Sequence, residues 1–280
     1  MRDLHGKVAV VLGASAEGGT GWAIAEALAA AGAKVVVGAR SMEPLKRLAD
    51  KIGGLAVRCD GGSEAEITAL SEAAIKAFGR IDIAVNSAAT PTLGLIQDAT
   101  PDMMAQALQV NFIGMTYFVR DFAARMGEGG SIILISSMSA THPLQPHFSY
   151  ACAKAATECL VQYAAQEYGP RGIRVNGIRI GTSVSNMAGD FFNSPGVGEK
   201  FAREIPMGRL GKPEDIADAV LWLAGPAYIS GSTLDVSGGN QINRFPFLDE
   251  LPGADKNYEG SAALYDREQG RGYVASETAS

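Results

Sequence analysis

The sequence predicts an α/β protein: one doubly wound parallel sheet of about seven strands with helices on both faces. Short runs such as 7–12, 34–37 and 131–135 are apolar almost throughout rather than alternating, as strands buried on both faces are. Stretches with helical periodicity lie between them, so strand and helix alternate along the chain. The 280 residues are 47% hydrophobic and 19% charged, enough apolar material for a sizeable core.

The elements follow in order. The strand at 7–12 ends at Gly13. The turn from Gly13 to Gly21 leads into an Ala-rich helix at 22–29 that stops at Gly32. A second strand, beginning at Lys34, ends in Ala39, Arg40 and Ser41. A helix at 43–51 and a strand at 55–59 lead to Asp60. Ser63 starts the next helix, with Glu66 three residues on as a capping box, and the helix runs to Phe78. The strand at 81–85 ends in Asn86, Ser87, Ala88 and Ala89. Thr100-Pro101, with proline in the first turn, opens one long helix to about Met126, and Asn111 lies in its middle. Asparagine is a poor residue there unless its amide has a task.

The strand at 131–135 ends in Ser136-Ser137. A loop at 138–148 precedes a helix at 149–169, which is followed by a strand at 173–180. An irregular stretch covers 181–206. A helix at 213–224 and a strand at 233–236 close the sheet at Gly238-Gly239. No domain break is visible in 1–243. Residues 244–280 lack a strong period and read as a tail, disordered or laid across the core or a neighbouring subunit.

Several function classes are disfavoured. A net charge of −6 with no basic run argues against a nucleic-acid surface. No apolar run reaches the ~18 residues of a membrane span. Residues 1–7 carry no signal-peptide pattern. Cys59, Cys152 and Cys159 suit neither a disulfide framework nor a zinc site. They read as buried or partly buried free thiols in a reducing, cytoplasmic compartment, and no metal is expected.

The chemistry gathers at two places. A glycine-rich turn between a strand and a helix lets backbone approach a pyrophosphate, and the helix start offers free amide donors. Dinucleotide binding of the Rossmann type is therefore expected around Gly13, Ser15, Gly19, Thr20 and Gly21. An acidic residue after the second strand would bind a free ribose 2′-hydroxyl, but Arg40 and Ser41 stand there. The guanidinium fork of Arg40 suits a 2′-phosphate, which favours NADP, with NAD open. The second place is Tyr150 and Lys154. Four residues apart on a helix, they share a face, and a cation beside a phenol favours the phenolate. The pair is a plausible proton-transfer device.

Together these pieces resemble the short-chain dehydrogenase/reductase family over residues 5–242. The matching residues are the turn 13–21, Asp60, Asn86 with Ala88, Asn111, Ser137 with Tyr150 and Lys154, Gly181, and the closing motifs at 209–217 and 230–239. Five residues separate Gly13 from Gly19, a long spacing similar to the enoyl-reductase branch. The resemblance implies Tyr150 as general acid/base, Lys154 as its charge partner and ribose ligand, and Ser137 as the donor to the substrate oxygen. It implies that Asn111 holds a water linking Lys154 to solvent. Asp60 would meet the adenine, Asn86 and Ala88 the adenosine ribose, and Gly181, Ser183 and Ser185 the nicotinamide side.

The expected reaction is hydride transfer between NADP(H), or NAD(H), and a secondary alcohol or ketone. Reduction of an activated C=C bond and a non-catalytic dinucleotide-binding regulator are the alternatives. The substrate pocket is expected from 138–148 and 186–206, with His142, Leu144, Gln145, His147, Met187, Phe191 and Phe192 on offer. That mixture suits a mostly apolar, ring-bearing small molecule. A homo-oligomer, tetramer or dimer, is expected, with the helices at 101–126 and 149–169 between subunits.

Overall fold

The computed structural model describes residues 3–184, 191–247, 250–252, 263–264 and 274–275. The chain runs β1 (Val8–Leu12), α1 (Thr20–Ala30), β2 (Lys34–Ala39), α2 (Met42–Ile52), β3 (Leu55–Arg58), α3 (Glu64–Phe78) and β4 (Ile83–Asn86). It continues through α4 (Pro101–Leu108), α5 (Gly114–Arg125), β5 (Gly130–Ser137), α6 (Phe148–Tyr168), β6 (Ile173–Ile180), α7 (Val197–Arg203), α8 (Pro213–Ala224) and β7 (Thr233–Val236). The seven strands form one sheet in the order β3-β2-β1-β4-β5-β6-β7, every neighbouring pair parallel. From β1 the chain moves outward to β3, then crosses back to lay β4 on the other side of β1. Loops from the two halves diverge at that switch point and leave a crevice between them.

Both faces of the central strands are buried, which is why β1 and β4 are apolar almost throughout, whereas β6 and β7 carry charged side chains. Along β1, Ala9 and Val11 pack with α1, α2 and α8, whereas Val10 and Leu12 pack with α3, α5 and α6. Along β5, Ile133 and Ile135 face the first layer, and Ile132 and Leu134 the second. A smaller cluster joins Met138, Val197, Phe201, Phe245 and Leu251. Residues from the segment expected to be a tail therefore pack against the irregular stretch, which itself contains α7.

Three expectations are corrected. The long helix is not continuous: Gln109–Ile113 forms a π-helical turn between α4 and α5. Glu66 does not complete a capping box, because its carboxylate binds the Asp60 N–H at 2.8 Å and Arg58 at 2.6 Å. Ser63 still caps α3 by accepting from the Glu66 N–H. Only Cys59 is buried; Cys152 and Cys159 are exposed on α6, since the face between them and the sheet is taken by Ala153, Thr157 and Val161.

Asp82 fastens the amino-terminal ends of β1 and β4. Its carboxylate accepts from the Val8 N–H at 3.0 Å, Lys7 Nζ at 3.1 Å and Arg80 Nε at 2.8 Å. Burial raises its pKa, but the bonds from Arg80, Val8 and Lys7 outweigh burial and hold it below the usual carboxylate value. A depressed carboxylate stabilises the fold above its unfolded pKa, and that stability is lost as pH falls through the folded one. Asp82→Asn should cost about 1–3 kcal/mol in denaturant unfolding at neutral pH. The gap to the parent should shrink as the buffer is taken below the usual carboxylate range.

Candidate active site

The glycine turn lies where β1 enters the crevice. Gly13 has φ +92°, and a Cβ there would sit 2.5 Å from the Ala88 backbone nitrogen. A Cβ on Gly21 would sit 2.3 Å from the Gly13 carbonyl oxygen. The turn thus needs glycine at both positions, and it wedges the start of α1 between β1 and the loop after β4. Gly19 takes the cap position of α1 with no side-chain cap bond, so the first N–H groups of the helix keep no side-chain partner. The extra residues of the long spacing close a local turn by Gly19 N–H to Ala16 O at 2.8 Å.

Two clefts meet at this turn. One, about 290 Å³, includes Ser15, Arg40, Ser41, Asp60 and Ala88 in its wall. The other, about 270 Å³, includes Gly19, Thr20, Gly21, Ser137, Tyr150 and Lys154. Gly13, Ala16, Ser87 and Ala89 line both, so the clefts form one groove along the carboxyl edge of the sheet. A groove pinched at a side-chain-free turn fits a dinucleotide, with the pyrophosphate at the pinch. Asp60 is set by its own loop, where Oδ1 accepts from Gly62 N–H at 2.9 Å. Asn86 is fully buried beneath the groove; its Oδ1 accepts from Ala88 N–H at 3.0 Å, which shapes the Ala88 backbone.

The reaction centre is built by β5 and α6. Ser139 Oγ donates to Ser137 Oγ at 2.9 Å, and Ser139 N–H adds a weaker bond at 3.3 Å. With its oxygen so engaged, the Ser137 hydroxyl hydrogen is free to point at Tyr150. Burial pushes the Tyr150 phenol up to about 12, and the Ser137 hydrogen bond draws it back in part. Lys154 is 1% exposed. Its Nζ lies 5.6 Å from the Tyr150 ring centroid and donates to the Ile135 carbonyl at 2.8 Å. Burial pushes the ammonium down to about 7, against the pull of the Glu158 carboxylate. The simple expectation that Lys154 sets the phenol low is not met in the chain alone, because desolvation acts on both groups and dominates both.

Asn111 sits in the π-helical turn, fully buried and outside the walls of both clefts. Its amide is spent locally: Oδ1 accepts from Thr90 N–H at 3.2 Å, and Nδ2 donates to Thr90 O and Ala107 O at 2.9 and 2.8 Å. Its backbone carbonyl accepts from Thr157 Oγ1 on α6. The side chain braces the loop after β4, and the wider turn aims a carbonyl at α6.

Gly181, Thr182 and Ser183 line the reaction cleft. Ser185 and Met187 lie outside the described residues. Leu144, His147 and Phe192 are in the cleft wall, with Phe201 and Phe245. Phe191 is not; it packs edge-on to Phe192 and Phe201 behind that wall. His142 also stays out, with Nδ1 2.9 Å from the Thr141 hydroxyl. Gln145, Leu144 and His147 line an adjoining cavity of about 560 Å³ that shares Ser139, Leu144 and His147 with the cleft. Burial holds the His147 imidazole below its usual pKa, so it is neutral at pH 7, and its Nδ1 is buried without a partner.

Sequence reasoning missed Ser139, although its position two residues after Ser137 was a signal. It also missed Phe245, which reaches the cleft from the tail with no local pattern to mark it.

The comparisons agree with this geometry. A family model described as "Enoyl-(Acyl carrier protein) reductase" matches residues 13–241. The chain is 37% identical over 245 residues to the 7alpha-hydroxysteroid dehydrogenase of Escherichia coli, covering 84% of this chain and 94% of that protein. The chain belongs to the short-chain dehydrogenase/reductase family. Another family relative, the short chain dehydrogenase/reductase astE of Aspergillus oryzae, is 37% identical over 251 residues, with coverage of 85% and 95%. A solved short-chain dehydrogenase/reductase from Serratia marcescens superposes with TM-score 0.80 at 34% identity, covering 86% of this chain and all of that one. As an oxidoreductase of this family, whose members generally use NAD(P), the chain carries its groove where that cofactor class would lie.

The brace at Asn111 gives a stability prediction. Asn111→Leu would leave the Thr90 N–H and carbonyl without their partners in a buried turn. Thermal or urea unfolding should register a loss of about 1–3 kcal/mol for each group left unsatisfied.

Proposed function

We propose that the chain catalyses reversible hydride transfer between a nicotinamide dinucleotide, NADP in preference to NAD, and a secondary alcohol or ketone. The observation that carries this reading is the hydroxyl chain Ser139–Ser137–Tyr150, with Lys154 one turn on, in a cleft continuous with the glycine turn. Gly13, Ser15, Gly19, Thr20 and Gly21 would hold the pyrophosphate side, and Asp60, Asn86 and Ala88 the adenosine side. Gly181, Ser183 and Ser185 would face the nicotinamide, with Lys154 on its ribose. When bound, the cofactor supplies the hydride donor or acceptor.

The protein's own residues manage the proton. In the reducing direction Tyr150 gives its phenolic proton to the carbonyl oxygen of the substrate, and in the oxidising direction it takes the hydroxyl proton. Ser137 donates to that same oxygen as negative charge builds on it. The positive charge of Lys154 favours the phenolate left behind. Asn111 acts through the structure of its turn and keeps a carbonyl turned to α6, where a water could bridge toward Lys154.

The walls favour a mostly apolar, ring-bearing substrate. Leu144, Phe192, Phe201 and Phe245 supply apolar surface, and neutral His147 supplies one polar handle. Support also comes from relatives named for hydroxysteroids, although another is named D-threitol dehydrogenase. The description of the matched family model favours a second reading, reduction of an enoyl C=C bond. Against it stand Ser137 and the four-residue step from Tyr150 to Lys154. The setting proposed is a cytoplasmic homo-oligomer, with 1–243 as the catalytic domain and 244–280 as its tail. No helix among the described residues is long and apolar enough to cross a membrane. Exposed Cys152, Cys159 and Tyr163 along α6 support burying that face against a second copy.

Two experiments test this reading. Tyr150→Phe should cut kcat by about 10²–10⁴-fold or more while NADP binding, followed by fluorescence, stays near the parent value; undiminished turnover would take the phenol out of the mechanism. Arg40→Ala should weaken NADP binding by about tenfold or more and leave NAD binding within a few fold. Equal losses for both would assign Arg40 no part in reading the 2′-phosphate.

A further inference from the structure

Beside Lys154 lies a row of charge that no step above uses. Glu158 is one turn further along α6, on the face Lys154 occupies. Arg179 of β6 reaches it through two parallel bonds, Nε to Oε1 at 2.9 Å and Nη2 to Oε2 at 2.6 Å. The third arm, Nη1, donates to Asp235 Oδ1 of β7 at 2.9 Å. Ser136 Oγ of β5 donates to Glu158 Oε1 at 2.8 Å. Sheet register explains the alignment: Ser136 pairs with Arg179, and Arg179 with Asp235. One transverse row of side chains thus runs across three strands beneath α6. The Arg179 and Glu158 side chains are 17% and 14% exposed.

Such a row is a costly way to join a helix to a sheet. Desolvation consumes much of what the ion pairs return, and apolar side chains of similar volume would hold the layers as well. Its charge count is more telling. Two carboxylates face one guanidinium, which leaves one negative charge over, and the nearby buried cation is Lys154. The ammonium needs it. Ile135 O accepts one of its three N–H donors, and burial favours the neutral amine. The groups around Lys154 are Tyr150 and Glu158 on α6 and the Ile135 carbonyl on β5, with Ser136 next to it; the π-helical turn packed on α6 carries no charged side chain. Arg179 and Asp235 follow behind Glu158. Within one helical turn of Lys154 on α6, and along β5, Glu158 is the one carboxylate; Glu167 lies more than three turns further along the helix. Arg179 and Ser136 restrain that carboxylate from swinging out to solvent.

We propose that Glu158, clamped by Arg179 and Ser136, is a positioning residue that keeps Lys154 protonated in the reacting enzyme. The proposal rests on the Tyr150–Lys154 reading above. It adds that the protonation state of the lysine is set by a carboxylate outside the cleft, and that Asp235 offsets the guanidinium that would otherwise cancel it.

The test is an NMR titration of the full chain with lysine labelled at ¹³Cε, the Lys154 signal being assigned by its loss in Lys154→Met. Glu158→Gln keeps the shape and removes the charge. Its Lys154 midpoint should fall by about one pH unit or more. Glu158→Asp should return part of that shift. Asp235→Asn, which leaves Glu158 in place, should give a smaller fall in the same direction, so the charge effect is readable even if Glu158→Gln does not fold. In NADPH-dependent ketone reduction, the alkaline limb of kcat/KM should move with the NMR midpoint. An unchanged midpoint in Glu158→Gln, or in Asp235→Asn should that be the variant that folds, would overturn the proposal and leave the row a structural tie. Full activity of Lys154→Met would instead count against the functional reading, and the titration would still answer for Glu158.

Discussion

Two proton-carrying groups set one helical turn apart, a phenol in the wall of a cleft and an ammonium sealed beneath it, constrain everything around them. Tyr150 and Lys154 both lose hydration, and each is pushed toward its neutral form. A neutral phenol gives up its proton readily only where the phenolate left behind is stabilised, so the rest of the site has to restore what burial removes. Ser139 and Ser137 hand a hydrogen bond to the phenol. Glu158, backed by Arg179 and Asp235, supplies negative charge near the ammonium. The parallel sheet makes this economical, since side chains aligned in register across β5, β6 and β7 arrive together under α6.

The same geometry explains why the reacting groups and the groove share one edge. Parallel strands end together, so Gly13, Asn86, Ser137 and Gly181 all come at or just after strand ends on the carboxyl side of the sheet. The crossover between β3 and β4 opens the crevice there. Gly13 and Gly21 keep it shallow in the middle, where a side chain would strike the Ala88 or Gly13 backbone. Phe201 and Phe245 then close the far side, one from α7 and one from the segment after β7.

Much of this was legible in the sequence because its causes are local. Central strands buried on both faces are apolar nearly throughout, and β1, β2, β4 and β5 were visible for that reason. Glycine between strand and helix marks a tight turn, and residues four apart on a helix share a face, which exposed the Tyr150–Lys154 pair. What was not legible depends on partners distant in the chain. The residues 100–126 have helical periodicity throughout, and only the docking of Asn111 on Thr90 and of Thr157 on its carbonyl accompanies the wider turn. Glu66 sits where a capping box expects it, yet the Asp60 backbone and Arg58 draw it away. Glu158 was readable by spacing from Lys154, but its meaning waited on Arg179 and Asp235, which only the sheet brings together. Phe245 gives no local hint of the cleft it reaches.

A crystal structure of the full chain grown with NADP tests the central claim most directly. The account predicts the pyrophosphate against the turn from Gly13 to Gly21, the nicotinamide beside the Tyr150 hydroxyl, and Lys154 Nζ within hydrogen-bond reach of the adjacent ribose. A dinucleotide seated elsewhere, or one seated in the groove with the phenol turned from the ring and the lysine remote from the sugar, would contradict it.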